Sequence, residues 1–137
     1  MARALSTEDV GKLVLRVAVG GLMLFHGMHK VLHGVSGVQT LMTNKGLPAF
    51  VAYGVYVGEV IAPLLIIAGK WSRPAAIVFA FNMAVAIVAA HPSDILRLGK
   101  NGEWRIELPL LYMLGAVAVA LLGPGRFSVS RGKSRLG

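Results

Sequence analysis

The stretch Leu24 to Gly34 reads LFHGMHKVLHG and sets His26, His29, Lys30 and His33 inside an apolar run. At about 100° per residue, these four side chains occupy roughly 100° of one helix face, which Arg16 extends. Imidazole is the side chain that changes charge near neutral pH, and an amine beside it can pair with a carboxylate or donate to a carbonyl. The carboxylate is supplied by Glu59, the one charged residue of a second apolar run. His26 and Glu59 are therefore the candidates for handling protons. Lys30, Tyr56, Asn82, Glu107 and Tyr112 complete a set of side chains able to hold a polar ligand within an apolar surround.

Two sharper uses of the histidines are weaker than this reading. His26, His29 and His33 stand at i, i+3 and i+7, but their span offers no carboxylate and the spacing matches no metal-binding signature, so no metal is expected. A b-type haem would need axial histidines on facing helices, and only His91 with His29 or His33 lies at comparable depth. The simpler reading places His33 and His91 at the membrane interface as ordinary polar residues. Cysteine is absent, which removes disulfides, thiolate metal sites and a Cys-x-x-Cys redox pair.

The elements that must position these groups are membrane helices. Of 137 residues, 55% are hydrophobic and 15% charged, with a mean hydropathy of +0.69. Crossing the hydrocarbon core takes about 20 mostly apolar residues. Four segments qualify, approximately 13–32, 49–69, 74–90 and 106–122, and predict an all-α, four-helix integral membrane bundle in a single domain, 1–137. Ionisable groups near the ends of the first and fourth spans are expected to snorkel to the interface. Pro48 and Pro74 mark helix starts, and Gly69 and Gly123 follow helix ends. In SGVQTLMTNKG, Ser36 and Gln39 have capping-box spacing, and Val38, Leu41 and Met42 share a face, which predicts a short interfacial helix. Trp104 in the polar third connection is placed as a boundary anchor. The first apolar run is too long for a signal peptide and lacks a cleavage site, so it is expected to be retained.

The net charge of +8 does not indicate nucleic acid, because the basic residues flank the apolar runs and form no stripe with interleaved aromatics. With Arg16 and Lys30 assigned to their nearer ends, the N-terminus, second loop and C-terminus together hold nine Lys/Arg and the other two loops five. This bias predicts an inner-membrane protein with both termini, including the basic tail 126–137, in the cytoplasm. The partner is first the lipid bilayer, then a protein subunit or a second copy of the chain.

With antiparallel neighbours, depth follows from distance to each span's midpoint. Glu59 and Asn82 fall near midplane, His26 and Tyr112 slightly outward, and His29, Lys30, Tyr56, His91 and Glu107 further out. On depth alone His26 is the expected partner of Glu59, and Lys30 of Glu107. Pro63 shares a face with Tyr56 and Glu59 and frees the carbonyl of Glu59 itself. Asn82 and Tyr112 also have a purely structural reading, as hydrogen bonds between helices. Gly20, Gly21, Gly27, Gly54 and Gly58 are expected to allow close backbone contact, and the methionines to fill space.

In order and spacing, Arg16, FHGMHK (His26, Gly27, Lys30), VGE ending at Glu59, SRPAA with Arg73, Glu107 and the closing GPGRFS resemble the DoxX family of small four-helix membrane proteins. The resemblance runs from about Arg16 to Ser128. It implies a bundle with cytoplasmic termini and membership of a group linked to quinol oxidation, quinone or catechol resistance, methylamine utilisation and redox-stress complexes. The closing motif usually continues to an aspartate, where this chain has Ser130. The reading that follows is a membrane component of a quinone-linked oxidoreductase, a subunit dependent on a partner for electrons, with quinone as the cofactor. Its rivals are a non-catalytic scaffold for a partner enzyme and a small-molecule transporter, for which four helices leave little room without oligomerisation.

Overall fold

The computed structural model describes residues 6–131 and 135–137. Part of the basic tail, residues 132–134, lies outside them. Among the described residues five helices form: α1 (Thr7–His33), α2 (Ser36–Asn44), α3 (Ala49–Ala68), α4 (Ser72–Ala90) and α5 (Glu107–Leu122). The described residues are all-helical in their regular structure, with a single isolated bridge among them, Leu98 to Trp104, in the polar loop before α5. Helices α1, α3 and α4 are long and apolar enough to cross a membrane. With 16 residues, α5 reaches only about 24 Å.

Each boundary has a local cause. Ser6 caps α1 by accepting the Asp9 amide, Glu8 and Asp9 occupy the positive end of the helix, and Lys30 and His33 its negative end. Helix α3 turns left-handed at Gly69 (φ 70°), and Gly69 and Lys70 donate back to the carbonyls of the last turn. At the start of α4 the free amides of Ser72 and Arg73 donate to the carbonyls of Gly137 and Leu136, at 3.1 Å each. The expected capping box on α2 does not form. Val35 is the cap residue and makes no side-chain bond, Ser36 is already helical, and Gln39 reaches instead to the Tyr53 hydroxyl at 3.4 Å.

The four long helices close into a ring in which α1 and α4 each pack between α3 and α5. Their shared core is built from Val19, Met23, Ile66, Phe79, Met83 and Val119 with alanines between them. A second cluster of Val35, Met42 and Ala52, with Val38 and Leu41 against it, seats the short α2 on the start of α3. The outer surface is apolar: Phe25, Leu32, Phe81 and Leu121 are all exposed. A soluble bundle would not present so continuous an apolar exterior, whereas lipid-facing helices require one.

Candidate functional site

The site begins with a backbone irregularity. Pro63 has no N–H to offer the Glu59 carbonyl, and residues Val57–Ile61 widen into a single π turn, with Ala62 donating to Val57. That turn carries Gly58 and Glu59 into the bundle, both buried. The neighbouring helices come close enough to clasp it. A Cβ at Gly27 would overlap the Glu59 carbonyl, one at Gly58 would overlap the Asn82 side chain, and one at Gly20 would stand 2.9 Å from the Pro63 carbonyl. Of the five glycines expected to allow close approach, Gly21 and Gly54 face open space.

The Glu59 carboxylate, on a residue only 5% exposed, accepts from Lys30 Nζ through Oε2 and from Asn82 Nδ2 at 3.5 Å through Oε1. This corrects both pairings expected from depth. Lys30, one turn further from midplane than His26, reaches back along its own helix to Glu59, as a four-carbon stem permits. Glu107 is exposed, outside the pocket, and makes no ion pair among the described residues. Tyr56 does not line the pocket. Its hydroxyl donates to the Lys30 carbonyl at 3.1 Å and so holds α3 against the end of α1.

Around this pair lies a cavity of about 220 Å³ whose polar walls are His26, Lys30, Glu59, His91 and Tyr112 and whose apolar walls include Met23, Met83 and Leu108. His26 meets the Tyr112 ring edge-on, with centroids 5.9 Å apart and planes at 85°, and Tyr112 leans on Phe79 at 6.2 Å. The donor set is an ammonium, a phenol and imidazoles, with one carboxylate to exchange a proton. A neutral ligand with carbonyl oxygens matches this chemistry, and an anion would face Glu59.

The histidine face of α1 divides. His26 reaches the pocket, whereas His29 and His33 lie outside it, exposed and stacked on each other with centroids 4.3 Å apart. The pocket therefore brings His91 to neither of the histidines that a haem would need. Among the described residues no three His, Asp or Glu side chains converge as metal ligands. His91 itself is more than an interface residue. It lines the pocket, and its Nδ1 lies 3.2 Å from Asp94 Oδ2, while Asp94 Oδ1 accepts from Arg105 at 3.4 Å. The i, i+3 spacing of His91 and Asp94 just past α4 is the signal that could have marked this dyad in the sequence. His91 and Arg105 together hold the Asp94 carboxyl below the usual value of 3.8.

Arg16 also departs from expectation. It does not snorkel but is 1% exposed. Its guanidinium donates to the carbonyls of Pro124, of Ile67 at 3.2 Å and of Phe127 at 2.6 Å. It ties the end of α3 to the closing GPGRFS segment. Arg73 does the same for α5, donating to the carbonyls of Ala120 at 2.6 Å and Leu121 at 3.1 Å. Ser130 donates to the Gly69 carbonyl at 2.6 Å, a bond that the carboxylate usual at this place in the motif could not donate.

The chain's similarities agree with this architecture. The DoxX family profile matches residues 11–92. A Bacillus subtilis (strain 168) protein named "Putative oxidoreductase CatD" is 29% identical over 115 residues, covering 84% of this chain and 81% of that protein. "Inner membrane protein YphA" of Escherichia coli (strain K12) is 29% identical over 127 residues, 87% of each chain. No solved structure matches the chain.

Proposed function

The chain belongs to the DoxX family of membrane proteins, and from that premise we propose that it is the quinone-binding membrane component of an oxidoreductase system. The observation that carries this reading is the pocket of about 220 Å³ around the Lys30–Glu59 pair. It is smaller than the roughly 300–1,000 Å³ of pockets that enclose drug-sized ligands, so it suits one substituted ring. A quinone head group has two carbonyl oxygens that need donors, and the pocket walls supply donors from α1, α5 and the loop after α4. The oxidoreductase name of a relative that spans most of the chain points the same way.

When bound, the quinone supplies two-electron, two-proton redox chemistry. Lys30 and Tyr112 donate hydrogen bonds that orient a carbonyl. Glu59, held by Lys30 and Asn82, keeps a proton acceptor at the inner end of the pocket. His26 and His91 hold transferable protons at its outer walls, and Asp94 fixes which nitrogen of His91 faces inward. Electrons come from a partner dehydrogenase, since the chain has no cysteine and its side chains offer no redox centre of their own. The distribution of Lys and Arg supports an inner-membrane protein of four spans with both termini in the cytoplasm.

Purified protein should melt at a higher temperature with ubiquinone or menaquinone analogues, and its lipid extract should contain quinone. No thermal shift, with a Glu59→Gln strain behaving as wild type, would end the proposal. A scaffold reading is favoured by the loop 91–106, which is folded yet leaves Leu96 95% and Leu98 69% exposed. Copurification that depends on these leucines and ignores Glu59 would support it.

A further inference from the structure

The polar pocket shares part of its wall with a groove on the bilayer side of the bundle. Leu108 and Tyr112 belong to two cavities at once: the pocket around Lys30–Glu59, and an apolar groove of about 200 Å³ between α1 and α5, lined otherwise by Ala18, Val19, Leu22 and Leu111. The groove is open outward, since Leu22 is 55%, Leu108 54% and Leu111 65% exposed. Its lower end is closed where α1 and α5 touch, a Cβ added at Gly115 falling 2.7 Å from Val19 Cγ2. Above that contact His26 of α1 meets Tyr112 of α5 edge-on. Two larger apolar crevices on the surface, of about 380 and 650 Å³, share no wall residue with the polar pocket.

We infer that the gap between α1 and α5 is a lateral portal from the membrane, through which a prenylated quinone seats its ring in the pocket and leaves the first units of its tail in the groove. The inference rests on the quinone reading of the pocket. A ring that needs donors and a chain that needs hydrocarbon are opposite demands, and here a polar cavity and an apolar groove meet across Leu108 and Tyr112. The tail then never crosses a polar surface. The His26–Tyr112 contact stands at the junction, so the ring must pass the phenol that would hydrogen-bond it and an imidazole that would hold a proton for it.

The test compares binding of a tail-less dimethoxy-methyl-benzoquinone with that of its diprenyl analogue to detergent-purified protein. Leu111→Trp and Ala18→Trp fill the groove from exposed positions, while Ile77→Trp adds the same bulk to an exposed site on α4. The groove variants should weaken the diprenyl compound about tenfold, leave the tail-less compound unchanged, and differ from Ile77→Trp, which should bind both as wild type does. If the tail-less compound binds but the groove variants leave the diprenyl compound unaffected, the groove holds ordinary acyl chains and the portal is wrong, with the pocket reading intact. An equal loss in all three variants also overturns the portal. Failure of wild-type protein to bind either compound overturns the pocket reading, and the portal with it.

Discussion

Gly27 lies directly against the backbone carbonyl of Glu59, the oxygen to which Pro63, four residues on, has no N–H to donate. The absence of a side chain on α1 is thus what lets the π turn of α3 press the Glu59 carboxylate into the pocket. Gly27→Ala should force the helices apart and destabilise the protein by about 1–3 kcal/mol, the usual cost of overpacking. Gly54→Ala, where an added Cβ meets nothing within 4 Å, should be neutral or slightly stabilising. Unfolding in mixed micelles would compare them; equal effects would show that the close approach does not matter.

Lys30 and Glu59 should behave as one unit. Removing Lys30 leaves the Glu59 charge buried without its partner, and a loss of about 3–5 kcal/mol is expected for Lys30→Met, with a smaller loss for Glu59→Gln because the Lys30 side chain is partly exposed. The double variant should recover part of that loss, because neither charge then needs solvation. A double-mutant cycle measures the coupling, and additive losses would mean that the pair does not interact in the folded protein.

Asp94 makes stability depend on acid. Its carboxyl is held below the usual value of 3.8, first by His91 and then by Arg105, so the folded state binds this proton less readily than the unfolded chain. The contribution is present above about pH 4 and is lost as pH falls through the lowered value. Asp94→Asn should therefore lower the melting temperature near neutrality and flatten the acid limb of the stability curve, the two proteins converging as pH falls through the lowered value. A melting-temperature series from pH 7 to pH 3 reads this, and parallel curves for the two proteins would refute it.

Arg16 should be replaceable neither by Met nor by Lys. Its planar fork meets carbonyls from two segments at once, a geometry that a lysine ammonium cannot reproduce. Arg16→Lys should release the segment after Gly123, seen as new protease cleavage near residues 124–130 and a lower melting temperature. Ser130→Ala, which removes one bond to Gly69, should cost only about 1 kcal/mol. Cleavage patterns identical to wild type in Arg16→Lys would contradict this role.

The sequence by itself determined the all-helical class, the approximate extent of each helix, the short α2 helix and the stops at Gly69 and Gly123. Hydropathy, helical period and turn chemistry are properties of neighbouring residues, so they can be read along the chain. It also singled out Glu59 and Lys30 as unusual, since a charge in an apolar run is costly wherever the helix ends up. Only the tertiary structure decided how those charges are shared. The choice of Lys30 over His26 for Glu59 depends on helix rotation and on a stem that reaches back a turn, which depth along a span does not encode. The same holds for Arg16, whose carbonyl partners lie 51 to 111 residues away, and for His91, which lines the pocket from the end of α4 with its ring held by Asp94. Which residues are ionisable is local information. Which of them meet depends on how four helices rotate and cross, and that is settled by packing across the whole chain.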